Sequence, residues 1–238
     1  MAHECIVLAG GLGTRLRSEL PDLPKVLAPV AGHPFLTYVV RWLEKNEVTR
    51  AILSLGYQSE DVIAWGDAYD GNIDLVYSIE SEPLGTGGAI LEAIEKAQTK
   101  NFFVINGDTL FDADLVGMEN YHQQCDSDLT LALKPMTNFD RYGLVRADEN
   151  MRITGFEEKG FHEQGFINGG IYMMNRECMS SRSLPKRFSF EHDFLEIYYN
   201  EIDMYGYVQD SYFIDIGIPA DFNRAQSELK RFLPDNRI

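Results

Sequence analysis

The feature that most narrows the fold is an alternation of short apolar runs with segments whose apolar residues recur at helical spacing. The runs are Cys5–Ala9, Ala51–Leu55, Leu75–Ile79, Phe102–Ile105 and Leu129–Leu133. Between them, Leu36, Val39, Val40 and Leu43 fall on one helical face after Pro34, and Ile90, Leu91, Ile94 and Ala97 do so after Thr86. Strands buried on both faces read as apolar runs, and crossover helices cover them, so the pattern predicts an α/β fold with a mainly parallel sheet. After about residue 135 the rhythm changes. Gly143–Arg146, Arg152–Glu158 and Ile167–Met174 follow one another with no obvious helix between the first two, which predicts an antiparallel insertion on one edge. A helix around Glu191–Asn200, a last strand Tyr212–Ile216, and a closing amphipathic helix marked by Phe222, Ala225, Leu229 and Phe232 complete the chain. At 238 residues and 45% hydrophobic composition, this is one substantial core, a single domain over 1–238.

The net charge of −16 leaves no clustered cations to draw in nucleic acid or an anionic membrane, and neither is expected as a partner. A small anionic substrate stays within reach, because a few placed cations, backbone N–H groups or a metal reverse the field locally. Cys5, Cys125 and Cys178 are far apart and form no Cys-x-x-Cys pair, which suits a reducing compartment. Met1-Ala2-His3-Glu4 and the short strand after it lack the form of a signal peptide, and no apolar run reaches membrane length. The expectation is a soluble, unexported, cytoplasmic protein. After the closing helix no appended hexapeptide-repeat domain is expected, and association of identical chains is left open.

Directly after the first strand stands Leu8-Ala9-Gly10-Gly11-Leu12-Gly13-Thr14-Arg15-Leu16, followed by Pro24-Lys25. Glycines at a strand end let the backbone approach a polyphosphate and aim N–H groups at it, while Arg supplies a fork of donors. Two common phosphate loops fail the test. The third glycine of a dinucleotide fingerprint would fall on Leu16, and a Walker A lysine would follow glycine, whereas Lys25 follows Pro24. Further along, Phe102–Asn106 runs into Gly107-Asp108, which sets Asp108 at the carboxyl edge of the sheet, where ligands of open α/β sheets bind. Asp215, flanked by Ile214 and Ile216, is costly to bury without a partner, and a metal shared with Asp108 or a salt bridge would supply one. Asp112-Ala113-Asp114 has the Asp-x-Asp form some glycosyltransferases use for metal, but it opens a helix and reads first as a cap. The histidines show no metal spacing, and His122 with Cys125 reads as a solvated pair on a polar helix.

The block from Gly10 to Leu16 with Pro24-Lys25 resembles the signature of the sugar-1-phosphate nucleotidyltransferase family. That resemblance implies a Rossmann-like three-layer sandwich with a mainly parallel mixed sheet and a small antiparallel sugar-binding insertion. It implies a nucleotide-binding half over 1–135 and, over 136–238, the insertion with the closing strand and helix. The substrates would be a nucleoside triphosphate and a sugar 1-phosphate, with Mg2+ as cofactor on Asp108 and Asp215. Leu8, Gly10, Gly11, Gly13, Thr14, Arg15, Gly85, Thr86, Gly87 and Gly107 would bind the nucleotide. Arg15 would hold the phosphates that leave as pyrophosphate, and Lys25, with Asp108, would serve the transfer at the α phosphate. Tyr142, Gly143, Glu158, Lys159, Asn168 and Gly169 would bind the sugar phosphate, although Gly160 stands where the family usually has Pro after the Lys. Gly85-Thr86-Gly87-Gly88 differs from the Gly-Leu-Ala-Gln-Ala of the thymidylyltransferase branch, which argues against dTTP and for GTP, UTP or CTP. Ser189-Phe190-Glu191-His192-Asp193 reads first as a helix cap and second as a carboxylate reaching the sugar. Asp140–Gly143, Gly155–Lys159 and Phe213–Pro219 make the chain look most like the D-glycero-D-manno-heptose 1-phosphate guanylyltransferases, which act in bacterial surface glycan synthesis. Rivals within the class are mannose-1-phosphate guanylyltransferases and amino-sugar-1-phosphate uridylyltransferases. From other classes, a metal-dependent glycosyltransferase and a silent nucleotide-sugar sensor remain.

Overall fold

The computed structural model describes residues 4–11 and 23–232. In chain order the strands and helices are β1 (Glu4–Leu8), β2 (Pro29–Val30), β3 (His33–Pro34), α1 (Phe35–Lys45), β4 (Arg50–Leu55), α2 (Ser59–Asp67), β5 (Asp74–Ile79), α3 (Gly85–Ile94), β6 (Asn101–Asn106), β7 (Thr109–Phe111) and α4 (Leu115–Gln124). There follow β8 (Leu129–Phe139), β9 (Leu144–Ala147), β10 (Ile153–Glu157), β11 (His162–Asn175), α5 (Glu177–Ser180), a π turn (Glu191–Leu195), α6 (Glu196–Tyr198), β12 (Met204–Val208), β13 (Phe213–Asp215) and α7 (Pro219–Glu228).

The expected α/β sandwich is present. Strands β5, β4, β1 and β6 pair in parallel, β11 runs antiparallel between β6 and β8, and β12 pairs in parallel with β8. The side-chain period of two divides each central strand between two cores. Cys5 and Val7, Leu53, Phe103 and Ile105, and Ile171 and Met173 face one core, which α1, α4 and α7 also fill. Ile6, Ile52, Phe102 and Val104, and Tyr172 and Met174 face the other, under α3 and α5.

Two features differ from the sequence expectation. Of the antiparallel segment, the β9–β10 hairpin stands at one end of the sheet as expected, whereas β11 lies inside it, where its length of 14 residues lets it serve two neighbours in succession. Its second half pairs with β6, and Phe166 in its first half pairs with Val145 of the β9–β10 hairpin. The hairpin therefore stands beyond the carboxyl end of β6, over the edge where the first strands deliver their loops. Strand β8 runs unbroken from Leu129 to Phe139, across residue 135. The last strand, expected over Tyr212–Ile216, forms as β13 outside the main sheet, paired antiparallel with β7.

Candidate functional site

The chain leaves β1 for β4 on one side, and β6 returns on the other, so the crevice between the carboxyl ends of β1 and β6 is the topological switch point of the sheet. Gly107 keeps that crevice tight. Its N–H donates to the Leu8 carbonyl at 2.9 Å, and a Cβ there would lie 2.7 Å from the same oxygen. Two cavities open at this edge. One of about 430 Å³ lies over the switch point, lined by Leu8, Gly10, Gly11, Lys25, Glu80, Gly85, Thr86 and Asp108 among others. The other, of about 500 Å³, lies under the hairpin, and its walls include Arg141, Tyr142, Gly143, Glu158, Lys159, Asn168, Gly169 and Asp215. Asn106, Glu191 and His192 line both, so the cavities are neighbours with a common wall.

At their meeting stands a cation between two carboxylates. Pro24 precedes a single 3-10 turn, Lys25–Leu27, whose Val26 and Leu27 are buried, and this turn aims Lys25 inward. Its Nζ lies 2.5 Å from Asp108 Oδ2 and 3.8 Å from Asp215 Oδ1. The aspartates come together because β7 follows Asp108 and β13 ends in Asp215, with Asp215 in register opposite Thr109 and Ile216 N–H donating to the Asp108 carbonyl. Each carboxylate is oriented: Thr109 Oγ1 donates to Asp108 and Gly217 N–H donates to Asp215, at 3.2 and 2.7 Å. Burial and the neighbouring Asp108 push the Asp215 carboxyl above its ordinary value, against the pull of Lys25. Two oxygen-donor carboxylates crowded at the mouth of a crevice suit a hard divalent cation.

The α3 glycines divide by role. Gly85 and Thr86 are exposed to the smaller cavity, whereas Gly87 and Gly88 are buried. Gly87 packs on the Phe188 ring, and Gly88 on the Lys186 carbonyl. Gly87, expected in the nucleotide wall, is thus packed behind Gly85 and Thr86 and is not among the residues that line the smaller cavity. Gly13, Thr14 and Arg15 lie outside the described residues. Asp114 caps α4 by accepting from Gly117 N–H at 2.9 Å, as the cap reading expects, and neither Asp112 nor Asp114 lines either of these two cavities. His122 is the plainest correction. It is 2% exposed, not solvated, with Nδ1 2.9 Å from Thr130 Oγ1.

Sequence reasoning passed over several lining residues. Glu80 at the end of β5 faces the smaller cavity while its Oε2 accepts from Leu84 N–H at 3.0 Å. Burial pushes its carboxyl up, with Glu92 adding to the effect. Arg141 lines the larger cavity, held by the buried Asp221 of α7 at 2.7 Å. Tyr142 beside it, which the sequence did single out, packs edge-on against Phe213, and burial with the Asp215 charge pushes its phenol up to about 12.

Comparison with known proteins accounts for this arrangement. A family model, "Nucleotidyl transferase", matches residues 4–231. A D-glycero-alpha-D-manno-heptose 1-phosphate guanylyltransferase of Aneurinibacillus thermoaerophilus is 48% identical over 231 residues, 97% of this chain and 100% of the relative. Its counterpart in Campylobacter jejuni is 42% identical over 92% of this chain and 96% of the relative. The crystal structure of HddC from Yersinia pseudotuberculosis complexed with GMP-PN superposes with a TM-score of 0.85 at 36% identity, covering 97% of this chain and 99% of that one. The switch-point crevice, the paired aspartates and the matched sequence lead to one conclusion: this chain belongs to the nucleotidyl transferase family.

Proposed function

We propose that this protein joins GTP to D-glycero-D-manno-heptose 1-phosphate, releasing pyrophosphate and GDP-heptose for surface glycan synthesis in the bacterial cytoplasm. The observation that carries the reading is the meeting of two cavities at Lys25, Asp108 and Asp215. A transfer between two anionic substrates needs that layout: one pocket for each, with positioning and charge neutralisation where they touch. The nucleotide takes the smaller cavity at the switch point, and the sugar phosphate takes the larger one under the hairpin. An oxygen of the sugar phosphate attacks the α phosphorus, the bond from that phosphorus to the β-phosphate oxygen breaks, and pyrophosphate leaves. Lys25 lies where it meets the charge that builds on the α phosphate. Asp108 and Asp215 would hold Mg2+, which when bound neutralises phosphate charge and orients the triphosphate. Lys159, exposed on the larger cavity and without an ion-pair partner among the described residues, takes the sugar phosphate.

The preference for GTP rests on full-length likeness to guanylyltransferases and on Glu80. Guanine offers two adjacent donors, N1–H and the N2 amino group, that a carboxylate accepts together, and uracil, cytosine and thymine lack that pair. A pyrophosphate-release screen of GTP, UTP, CTP and dTTP against heptose and mannose 1-phosphates tests the proposal. The expected maximum is GTP with the heptose phosphate. Release with dTTP alone, or release of a nucleoside diphosphate in place of pyrophosphate, would contradict it.

A further inference from the structure

Glu191 occupies a position that the transfer chemistry leaves unassigned. It opens the five-residue π turn Glu191–Leu195 and is one of the residues lining both cavities. Such turns are rare and frequently sit at functional sites, since the wider turn re-aims a side chain. This one is held in place from several directions. Phe190 is buried, stacks on Phe194 with ring centroids 5.5 Å apart, and meets Tyr172 edge-on at 5.0 Å. Its N–H donates to Thr86 Oγ1 at 2.8 Å, tying the turn to α3. Ser189 Oγ accepts from His192 N–H at 3.3 Å, while Asp193 reaches back to Ser189 N–H at 2.7 Å. The cap reading of this segment is thus satisfied by Ser189 and Asp193, which leaves Glu191 free of it.

The carboxylate of Glu191 is itself oriented. Asn168 Nδ2 donates to Glu191 Oε1 at 3.2 Å and to the Tyr172 hydroxyl at 2.7 Å, and the Tyr172 hydroxyl also hydrogen-bonds Glu191. The Asn168 amide cannot flip without loss, because its Oδ1 accepts from Gly170 N–H at 3.1 Å. An ionised carboxylate has about four acceptor positions. Two are taken by these donors, which leaves acceptor positions for a ligand on a side chain that lines both cavities. A phosphate would be repelled there, so the natural ligand group is a hydroxyl. Among the groups around Glu191, Asn168, His192 and Lys159 all line the larger cavity.

We propose that Glu191, oriented by Asn168 and Tyr172, accepts the C2 hydroxyl of the sugar phosphate and so sets the requirement for that hydroxyl. The choice of C2 follows from place. Glu191 stands on the wall next to the phosphate junction, and the hydroxyl carbon adjacent to a sugar 1-phosphate is C2. This rests on the reading that the larger cavity takes a sugar 1-phosphate. An open carboxylate that the bound sugar covers, left unpaired by a substrate lacking its hydroxyl, discriminates strongly, by roughly 10- to 100-fold or more.

The test measures kcat/KM for pyrophosphate release from GTP with the heptose phosphate and with its 2-deoxy analogue, in the wild type and in Glu191→Gln. The wild type should prefer the intact sugar by roughly tenfold or more, and Glu191→Gln should bring the ratio to within about threefold while KM for GTP stays unchanged. An unchanged ratio in Glu191→Gln, or a loss confined to KM for GTP, overturns the proposal, the second result placing the residue on the ribose instead. If Glu191→Gln loses its melting transition, Asn168→Ala removes one orienting donor and should lower the same ratio, and an unaltered ratio there would equally count against the proposal. Absence of pyrophosphate release by the wild type with the heptose phosphate would refute the underlying activity, a separate outcome.

Discussion

At the residue scale, the site is a set of charges whose partners are chosen before any substrate arrives. Lys25 is 13% exposed at its side chain, against 35% for Asp108 and 28% for Asp215, so the cation is the most enclosed of the three. Removing one member leaves the others poorly matched, which is why single substitutions here should act on chemistry more than on binding alone. Glu80 makes the complementary case for base selection. Its Oε2 is engaged by Leu84 N–H, so the carboxylate is held in one orientation toward the cavity. Glu80→Gln replaces an acceptor pair with one acceptor and one donor, and should lower kcat/KM for GTP by roughly 10- to 100-fold while leaving that for UTP within a few-fold. Steady-state kinetics on both nucleotides checks this, and equal losses on the two would point to a structural role. Glu80 was not legible in the sequence, because a glutamate after a short apolar run has no distinguishing neighbour. Its place comes from Gly10 and Gly56 closing around it in space.

At the element scale, what was legible were the pieces that report themselves locally. Buried parallel strands announce β1, β4 and β6, and the glycine and aspartate loops follow at their ends. What stayed hidden depended on partners far away in the chain. Helix α2 has a single buried residue, Val62, so its sequence carries almost no apolar face. The place of β11 inside the sheet rests on which strands accept its two halves, and no period of two reveals a neighbour. The contribution of Glu191 and His192 depends on a π turn, whose extra residue breaks the helical spacing by which a reader tracks faces. The packing of α3 against residues 186–190 gives an element-level prediction. A Cβ at Gly87 would overlap the Phe188 ring, and Gly87 N–H donates to the Phe188 carbonyl at 3.0 Å. Gly87→Ala should therefore destabilise by about 1–3 kcal/mol and lower the melting temperature by several degrees. KM for GTP should rise with it, because Thr86 and the Phe190 turn move together. A melting curve that matches the wild type would show that the segment repacks freely.

At the scale of the whole molecule, stability and function draw on different ends of the sheet. The buried His122 lies far from the cavities in the fold, between α4 and β8, and burial lowers its pKa from 6.5 to about 4, against the pull of Asp128 and Asp126. The folded value lies below the unfolded one, so the unfolded chain binds the proton more readily. His122 thus contributes stability in full above about pH 6.5, and that contribution is lost as pH falls toward 4, by about 3 kcal/mol in all. Denaturant unfolding between pH 7 and 4 should show the decline, and His122→Gln should flatten it. A wild-type slope retained in that variant would assign the decline elsewhere. The proposed transfer belongs to the opposite edge, where the β9–β10 hairpin overhangs the switch point and two cavities share one wall. The most direct test of that arrangement is pyrophosphate release from GTP and the heptose phosphate in Mg2+, measured for the wild type and for Asp108→Asn alongside their melting temperatures. Turnover in the wild type, falling by at least about a hundredfold in an equally stable Asp108→Asn protein, is the predicted result; full activity in that variant would contradict the assignment of the transfer to the junction of the two cavities.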